Sequence, residues 1–293
     1  MPRWFAVLAA LFVTFLWSTS YILNKWAFAE GIHPFALAGL RYAIAALTLA
    51  LVRATRKTAA SEKRISPWIY AGLGVAGYLV AQGFQYVGQF YVTPTQSGMV
   101  LSVGNTLLVL AVGLIWLGEL PGARQGLGIA VSLLGVSLFY WPFHLEAENL
   151  KGITMLFLSG AGYAVQLTAN RALLSRRSAD PLSLVLYPMA VGAAGMILLS
   201  VLLEPWPAFT WKLAAILLWL GAVNGALAFF LWTWSQKVLQ AFESSVLNNT
   251  MLLQIVTLDV LLLGRQVGAK EIAGLVLAGV GILVVQTAAR RGK

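Results

Sequence analysis

The chain contains no cysteine, which excludes disulfides and thiolate metal sites. Charge is also scarce. Only 10% of residues are Asp, Glu, Lys or Arg, whereas a soluble domain carries about 25%. The two histidines, His33 and His144, sit in loops with no carboxylates at metal-ligand spacing, so no metal site is expected. No G-x-x-x-x-G-K-[ST] loop is present, which argues against ATP-driven work within this chain. No serine sits in a G-x-S-x-G elbow, and no other catalytic set appears, so neither an enzyme nor a cofactor is expected. Period-two alternation is missing too, which argues against a transmembrane strand barrel.

What is present is apolar length. The sequence is 59% hydrophobic, with a mean hydropathy of +0.81. Runs of about 20 apolar residues, enough to cross roughly 30 Å of hydrocarbon as helices, follow one another with short polar breaks. The expected class is an all-α integral membrane protein. Its ten spans are Trp4–Lys25, Pro34–Val52, Trp68–Gln89, Thr95–Leu117, Gln125–Trp141, Gly152–Leu173, Leu182–Leu203, Trp211–Gln236, Glu243–Gly264 and Glu271–Ala288. The N-terminal run lacks a small-residue cleavage site before Trp17 and takes part in the repeat described next, so it reads as a retained helix.

The stretch Gly118 to Gly135, GELPGARQGLGIAVSLLG, returns as GRQVGAKEIAGLVLAGVG from Gly264 to Gly281. Every position is displaced by 146 residues (264 − 118 = 146), half the chain. Gly118, Gly122, Ala123, Gly128 and Gly135 become Gly264, Gly268, Ala269, Gly274 and Gly281. Asn24-Lys25 likewise becomes Asn170-Arg171. The chain thus divides into residues 1–146 and 147–293, two copies of one unit. Five spans per copy force the second copy through the bilayer in the opposite sense, giving two inverted five-helix repeats. That construction is the usual one for secondary transporters, with the solute near the midplane.

Net charge is +10, but the cations lie in short loops rather than on a patch interleaved with aromatics. They therefore read as a topology signal, and no nucleic-acid partner is expected. With the N-terminus inside, the inner loops receive Arg3; Arg53, Arg56, Lys57, Lys63 and Arg64; Arg124; Arg176 and Arg177; Lys237; and Arg290, Arg291 and Lys293. The outer loops receive only Lys151, Lys212, Arg265 and Lys270. Both termini are therefore expected in the cytoplasm, in a bacterial-type inner membrane.

Four segments carry a family resemblance: LWSTSYILNKWAF, HPFALAGLRYAIAAL, SGMVLSVGNTLLVLAVGLIWLGE and GLGIAVSLLGVSLF. Together they resemble the EamA-type transporters of the drug/metabolite transporter superfamily. The resemblance runs through both halves. It implies ten helices around a central cavity, and transport of small metabolites, commonly export of amino acids. Two departures stand out. The family's fourth-helix proline is replaced by Ser102-Val103-Gly104-Asn105, and Gly118-Glu119 is answered in the second copy by Gly264-Arg265.

Polar and aromatic side chains recur at helical spacing inside the spans. The substrate-binding candidates are Trp17 and Tyr21; Tyr78, Gln82 and Tyr86; Ser102 and Asn105; Tyr163 and Gln166; Asn224 and Trp232; and Asn248. Hydrocarbon offers such groups no partner, so they either line a wet cavity or bond one helix to another. The glycines read chiefly as close helix contacts. The ionisable residues Lys25, Arg41, Asp259 and Arg171 are gate or coupling candidates. Asp259 could pair with Arg41 or Lys25 to close the outer side, or Arg41 could receive a substrate carboxylate, or Asp259 could carry a proton. A static salt bridge is the plain alternative.

The expected function is a secondary transporter working by alternating access, most simply an amino-acid exporter. Its energy would come from a gradient, by uniport, exchange or proton coupling. Nucleobases, quaternary ammonium compounds and drugs are the other solute classes, and a lipid flippase is the remaining alternative. The expected partners are a small-molecule substrate and the bilayer. The oligomeric state is not fixed by sequence, and a monomer is compatible with it.

Overall fold

A computed structural model describes residues 2–55, 65–92, 94–142, 150–176, 179–263 and 266–288, which are helical almost throughout and contain no strand. In chain order the helices are α1 (Arg3–Ala29), α2 (Pro34–Thr55), α3 (Pro67–Gly74), α4 (Phe84–Tyr91), α5 (Pro94–Leu117), α6 (Ala123–Tyr140) and α7 (Leu150–Ser175). There follow α8 (Pro181–Leu203), α9 (Trp211–Gly221), α10 (Ala228–Ser235), α11 (Ala241–Asn248), α12 (Thr250–Leu263) and α13 (Ala269–Ala288). Two π-helical segments, π1 (Val75–Gly83) and π2 (Ala222–Leu227), run without a break from α3 to α4 and from α9 to α10. Prolines open α2, α3, α5 and α8, where the missing N–H has no helical partner to lose. Asp180 and Thr210 cap α8 and α9 by accepting from Ser183 N and Leu213 N, both at 3.1 Å.

Among the described residues, 8 helices are long and apolar enough to cross a membrane. Two further expected spans fall outside that set. Trp68–Gln89 is continuous helix through α3, π1 and α4 but carries Gln82, Gln85 and Gln89, and a turn at Asn249 splits Glu243–Gly264 into α11 and α12. Large apolar side chains face outward, among them Trp68, Ile115 and Trp211, which are at least 84% exposed. In water they would form an aggregation-prone surface, and in a bilayer they meet lipid.

The recurring glycines do structural work. A Cβ added to Gly135 would stand 2.7 Å from the Gly274 carbonyl oxygen, and one added to Gly281 would stand 2.6 Å from that of Gly128. Gly128 therefore faces Gly281 and Gly135 faces Gly274, so α6 and α13 cross antiparallel with their backbones in contact. The same sense holds for α2 and α8. Gly39 lies against Ile197 at one end of that pair, while Arg53 Nη1 donates to Ser183 Oγ at 2.6 Å at the other. It holds again for α5 and α11, where Gly113 lies near Ala241 and Asn249 Nδ2 donates to Thr106 Oγ1 at 3.2 Å. In each pair the second helix starts 146 or 147 residues after the first (269 − 123 = 146, 241 − 94 = 147 and 181 − 34 = 147). Gly72 and Gly104, also expected at contacts, have open space where a Cβ would go.

The first helix of each half packs on the other half: α1 against α10 and α12, and α7 against π1, α4 and α5. Side-chain bonds fasten α1 to α12. Thr14 and Thr250 hydroxyls lie 3.0 Å apart, and Ser18 Oγ donates to Gln254 Oε1 at 3.1 Å.

Arg3 Nη2 donates to Gln286 Oε1 at 3.1 Å, so the start of α1 and the end of α13 share one end of the bundle, here the terminal end. At the far end Glu204 accepts from Phe35 N and Ala36 N, both at 2.8 Å, capping α2. Lys212 Nζ and Thr210 Oγ1 donate to Glu30, each at 2.8 Å, and hold its carboxyl below the usual carboxylate range.

Candidate solute cavity

Between the halves lies a cavity of about 100 Å³. One water needs about 10–15 Å³ on this measure, so the space holds roughly seven to ten. α1 contributes Trp17, Ser20, Tyr21 and Asn24 to its wall, α2 contributes Arg41 and Tyr42, and π1 with α4 contributes Gln82, Gln85, Tyr86 and Gln89. Ser102 and Asn105 come from α5, and Tyr140 from α6. Tyr163, Gln166 and Asn170 come from α7, Phe229, Trp232 and Thr233 from α10, and Asn248 from α11. Gln236, just past α10, completes the polar part of the wall.

One side of the cavity is an aromatic sheet. The Trp17 ring lies 5.0 Å from Phe229 and 5.1 Å from Trp232, and Tyr42 meets Phe229 edge-on at 5.6 Å. Tyr42 also donates its hydroxyl to Gln82 Oε1 at 2.7 Å. The other side is amide-rich and under-satisfied. The side-chain carbonyls of Asn105, Asn170 and Asn248, and both polar atoms of the Gln236 amide, are buried without a hydrogen-bond partner. Buried amides are rarely left so, and a solute or water would complete them.

Backbone carbonyls in the π segments also accept from side chains of other helices. Asn224 O in π2 accepts from Trp17 Nε1 and from Arg41 Nη2, both at 3.1 Å, and Ala81 O in π1 accepts from Ser159 Oγ at 2.6 Å. Arg41 is 4% exposed, and its other terminal nitrogen donates to the Tyr86 hydroxyl. Its guanidinium carbon stands 5.2 Å from the Tyr42 ring centre and 5.9 Å from that of Tyr86.

The terminal end of the cavity is sealed by ion pairs that cross between the halves. Arg171 Nε donates to Glu119 Oε1 at 2.9 Å, Arg171 Nη1 donates to Gln236 O at 2.9 Å, and Glu119 Oε2 accepts from Ala241 N at 3.0 Å. Beside this clamp, Arg3 grips the fully buried Glu243 carboxylate at 2.9 and 3.0 Å, and Gln240 N donates to the same group at 2.9 Å. Two carboxylates thus hold the first turn of α11, where backbone N–H groups favour negative charge. Wall residues toward this end (Asn170, Thr233, Gln236) are buried. Those toward the far end (Gln85, Gln89, Tyr140) are partly exposed, so the cavity is reached from the far end.

Of the substrate-binding candidates, ten lie on this wall: Trp17, Tyr21, Gln82, Tyr86, Ser102, Asn105, Tyr163, Gln166, Trp232 and Asn248. Tyr78 and Asn224 do not. Tyr78 is packed 5.4 Å from Tyr42, and Asn224 spends its amide on α1, donating to Leu16 O at 2.9 Å and Ser20 Oγ at 2.7 Å. Both lie one layer behind the wall, where a helical stripe soft by one residue cannot separate them from it. Among the gate candidates, Arg41 is on the wall, Arg171 belongs to the terminal-end clamp, and Lys25 is exposed off the wall. The Asp259 side chain lies outside the described residues, as do His144 and the cations Arg56, Lys57, Lys63, Arg64, Arg177, Arg265, Arg290, Arg291 and Lys293.

Sequence reasoning did not pick out Asn24, Tyr42, Tyr140 or Gln236 for the wall, nor Glu119 and Glu243 for the seal. Asn24 carried a signal, since its repeat partner Asn170 shares the cavity; the others had none beyond adjacency.

An all-helical membrane protein with a polar cavity between two related halves is built as a transporter. The model of the EamA-like transporter family matches residues 4–141 and again 150–287, and the chain belongs to that family. The two matches are themselves 146 residues apart (150 − 4 = 146). An uncharacterized transporter of Bacillus subtilis (strain 168), YyaM, is 26% identical over 262 residues, spanning 84% of this chain and 80% of the relative. A crystal structure with 20% identity superposes with a TM-score of 0.84 over 99% of both chains, a likeness of fold.

Proposed function

We propose that the protein is a secondary transporter in which ten spans form two inverted repeats and a small polar or amphipathic solute crosses by alternating access. The observation that carries this reading is the one-sided cavity. Both halves line it, it is reached from the far end, and the inter-half pair Glu119–Arg171 seals it at the other. The antiparallel crossings of α6 with α13, α2 with α8 and α5 with α11 support the inverted arrangement, because corresponding helices then run in opposite senses. The loop-cation bias supports a cytoplasmic terminal end, and on that reading the state described faces outward. Amino-acid export is the favoured activity. Aromatic rings on one side and open amide carbonyls on the other suit a small solute with an apolar body and a hydrogen-bonding head.

The test is uptake of labelled amino acids into liposomes holding only the purified protein, with and without a pH gradient and with unlabelled amino acid inside. Saturable uptake is expected, accelerated by internal amino acid if exchange operates. Absence of uptake across the whole panel, by protein shown to be folded, would overturn the amino-acid assignment.

A further inference from the structure

Resting on the transporter reading above, we propose that Arg41 is the specificity-determining residue of the cavity, receiving a carboxylate of the solute and rejecting cations.

Among the described residues of the wall, Arg41 is the one group with a fixed charge; the rest are amides, hydroxyls, phenols, indoles and apolar side chains. A guanidinium 4% exposed in a membrane interior is costly unless a negative group approaches it. Its protein partners are all neutral: the Tyr86 hydroxyl, the Asn224 carbonyl and the faces of Tyr42 and Tyr86. They hold the guanidinium in place without cancelling its charge. Its Nε is buried with no partner at all. A fixed fork with an unused donor is what a planar carboxylate needs, and Arg supplies it better than Lys because the donors are rigidly spaced.

Position supports the assignment. Arg41 lies seven residues into α2 (41 − 34 = 7), about 10 Å from that helix's far end at 1.5 Å per residue. A carboxylate entering from the open side reaches it before the sealed amides Asn170 and Gln236. A cation entering the same way meets Arg41 with no described carboxylate on the wall to offset the repulsion, so quaternary ammonium solutes are disfavoured.

The experiment is equilibrium binding of labelled L-leucine to the purified protein, competed by isocaproate, which keeps only the carboxylate, and by L-leucinamide, which keeps only the amine. Isocaproate should displace leucine, while leucinamide should do so about 10- to 100-fold less well, the range of a lost charge-assisted hydrogen bond. Arg41→Gln should weaken leucine by a similar factor and abolish the preference for isocaproate. Arg41→Lys should retain that preference with reduced affinity, and it guards against a folding defect in Arg41→Gln. Equal competition by leucinamide, unchanged leucine affinity in Arg41→Gln, loss of the preference in folded Arg41→Lys, or no leucine binding by folded wild type would each overturn the assignment. The transporter reading fails separately, by absence of flux for every solute class in liposomes.

Discussion

Glu119 and Arg171 meet at 2.9 Å across the boundary between the two halves, and the same arginine holds the carbonyl of Gln236, an unsatisfied residue at the cavity floor. One residue therefore joins the seal to the site. Its partner carboxylate also caps α11 through Ala241 N, so releasing Glu119 loosens both the pair and the helix start.

Glu119→Gln should shift the molecule toward opening at the terminal end. Weakening a half-buried charged hydrogen bond is worth about 1.5–3 kcal/mol, or roughly ten- to a hundredfold in the closed-to-open ratio. The natural absence of cysteine gives a clean readout. A cysteine placed at Gln236, which is fully buried, should resist a membrane-impermeant thiol reagent applied from the terminal side and react once Glu119→Gln is added. Equal protection in both backgrounds would show that the pair is not a gate.

Gly135→Val should lower the melting temperature by several degrees. Its side chain has to enter the α6–α13 crossing, where even a Cβ would stand 2.2 Å from the Ala278 backbone nitrogen, and overpacking costs about 1–3 kcal/mol. Gly104→Ala, with open space around it, should leave the melt within a degree or so. Similar melts for the two would contradict the packing described.

Asn224→Ala and Asn248→Ala should separate structure from solute contact. Asn224 is fully buried, and its Nδ2 lies within hydrogen-bond distance of Leu16 O, Ser20 Oγ and Thr19 Oγ1 (3.2 Å) on α1. Its loss should cost about 1–3 kcal/mol of stability. Asn248 faces the cavity with a free carbonyl, so its loss should raise KM for uptake while leaving the melt in place. The reverse pattern would exchange their roles.

Ser102→Trp should block uptake while preserving the fold. The side chain is on the wall and partly exposed, and an indole would fill much of about 100 Å³. Wild-type flux in a folded Ser102→Trp protein would place the permeation path elsewhere.

Much of the architecture was legible because it follows from spacing. The offset of 146 returns as the distance between the two family matches, and the repeated glycines return as the α6–α13 crossing. The wall was legible in part: Trp17, Gln82 and Asn248 sit where the stripes put them, whereas Tyr78 and Asn224 lie one layer back. Arg3 with Glu243, and Glu119 with Arg171, join residues 240 and 52 positions apart, and nothing local in either member announces the other. The π segments were equally invisible. Their sequences, VAGYLVAQG and AVNGAL, contain no proline and differ little from ordinary helix.

Those π segments carry one more consequence. Shifted by 146, π1 maps onto residues 221–229 (75 + 146 and 83 + 146), and π2, Ala222–Leu227, falls wholly inside that window. A π segment amounts to an inserted residue in a helix, which shifts the register of everything after it. The same local irregularity thus stands at matching places in both halves, so each half offers the cavity one helix whose register slips at the same depth of the sequence unit.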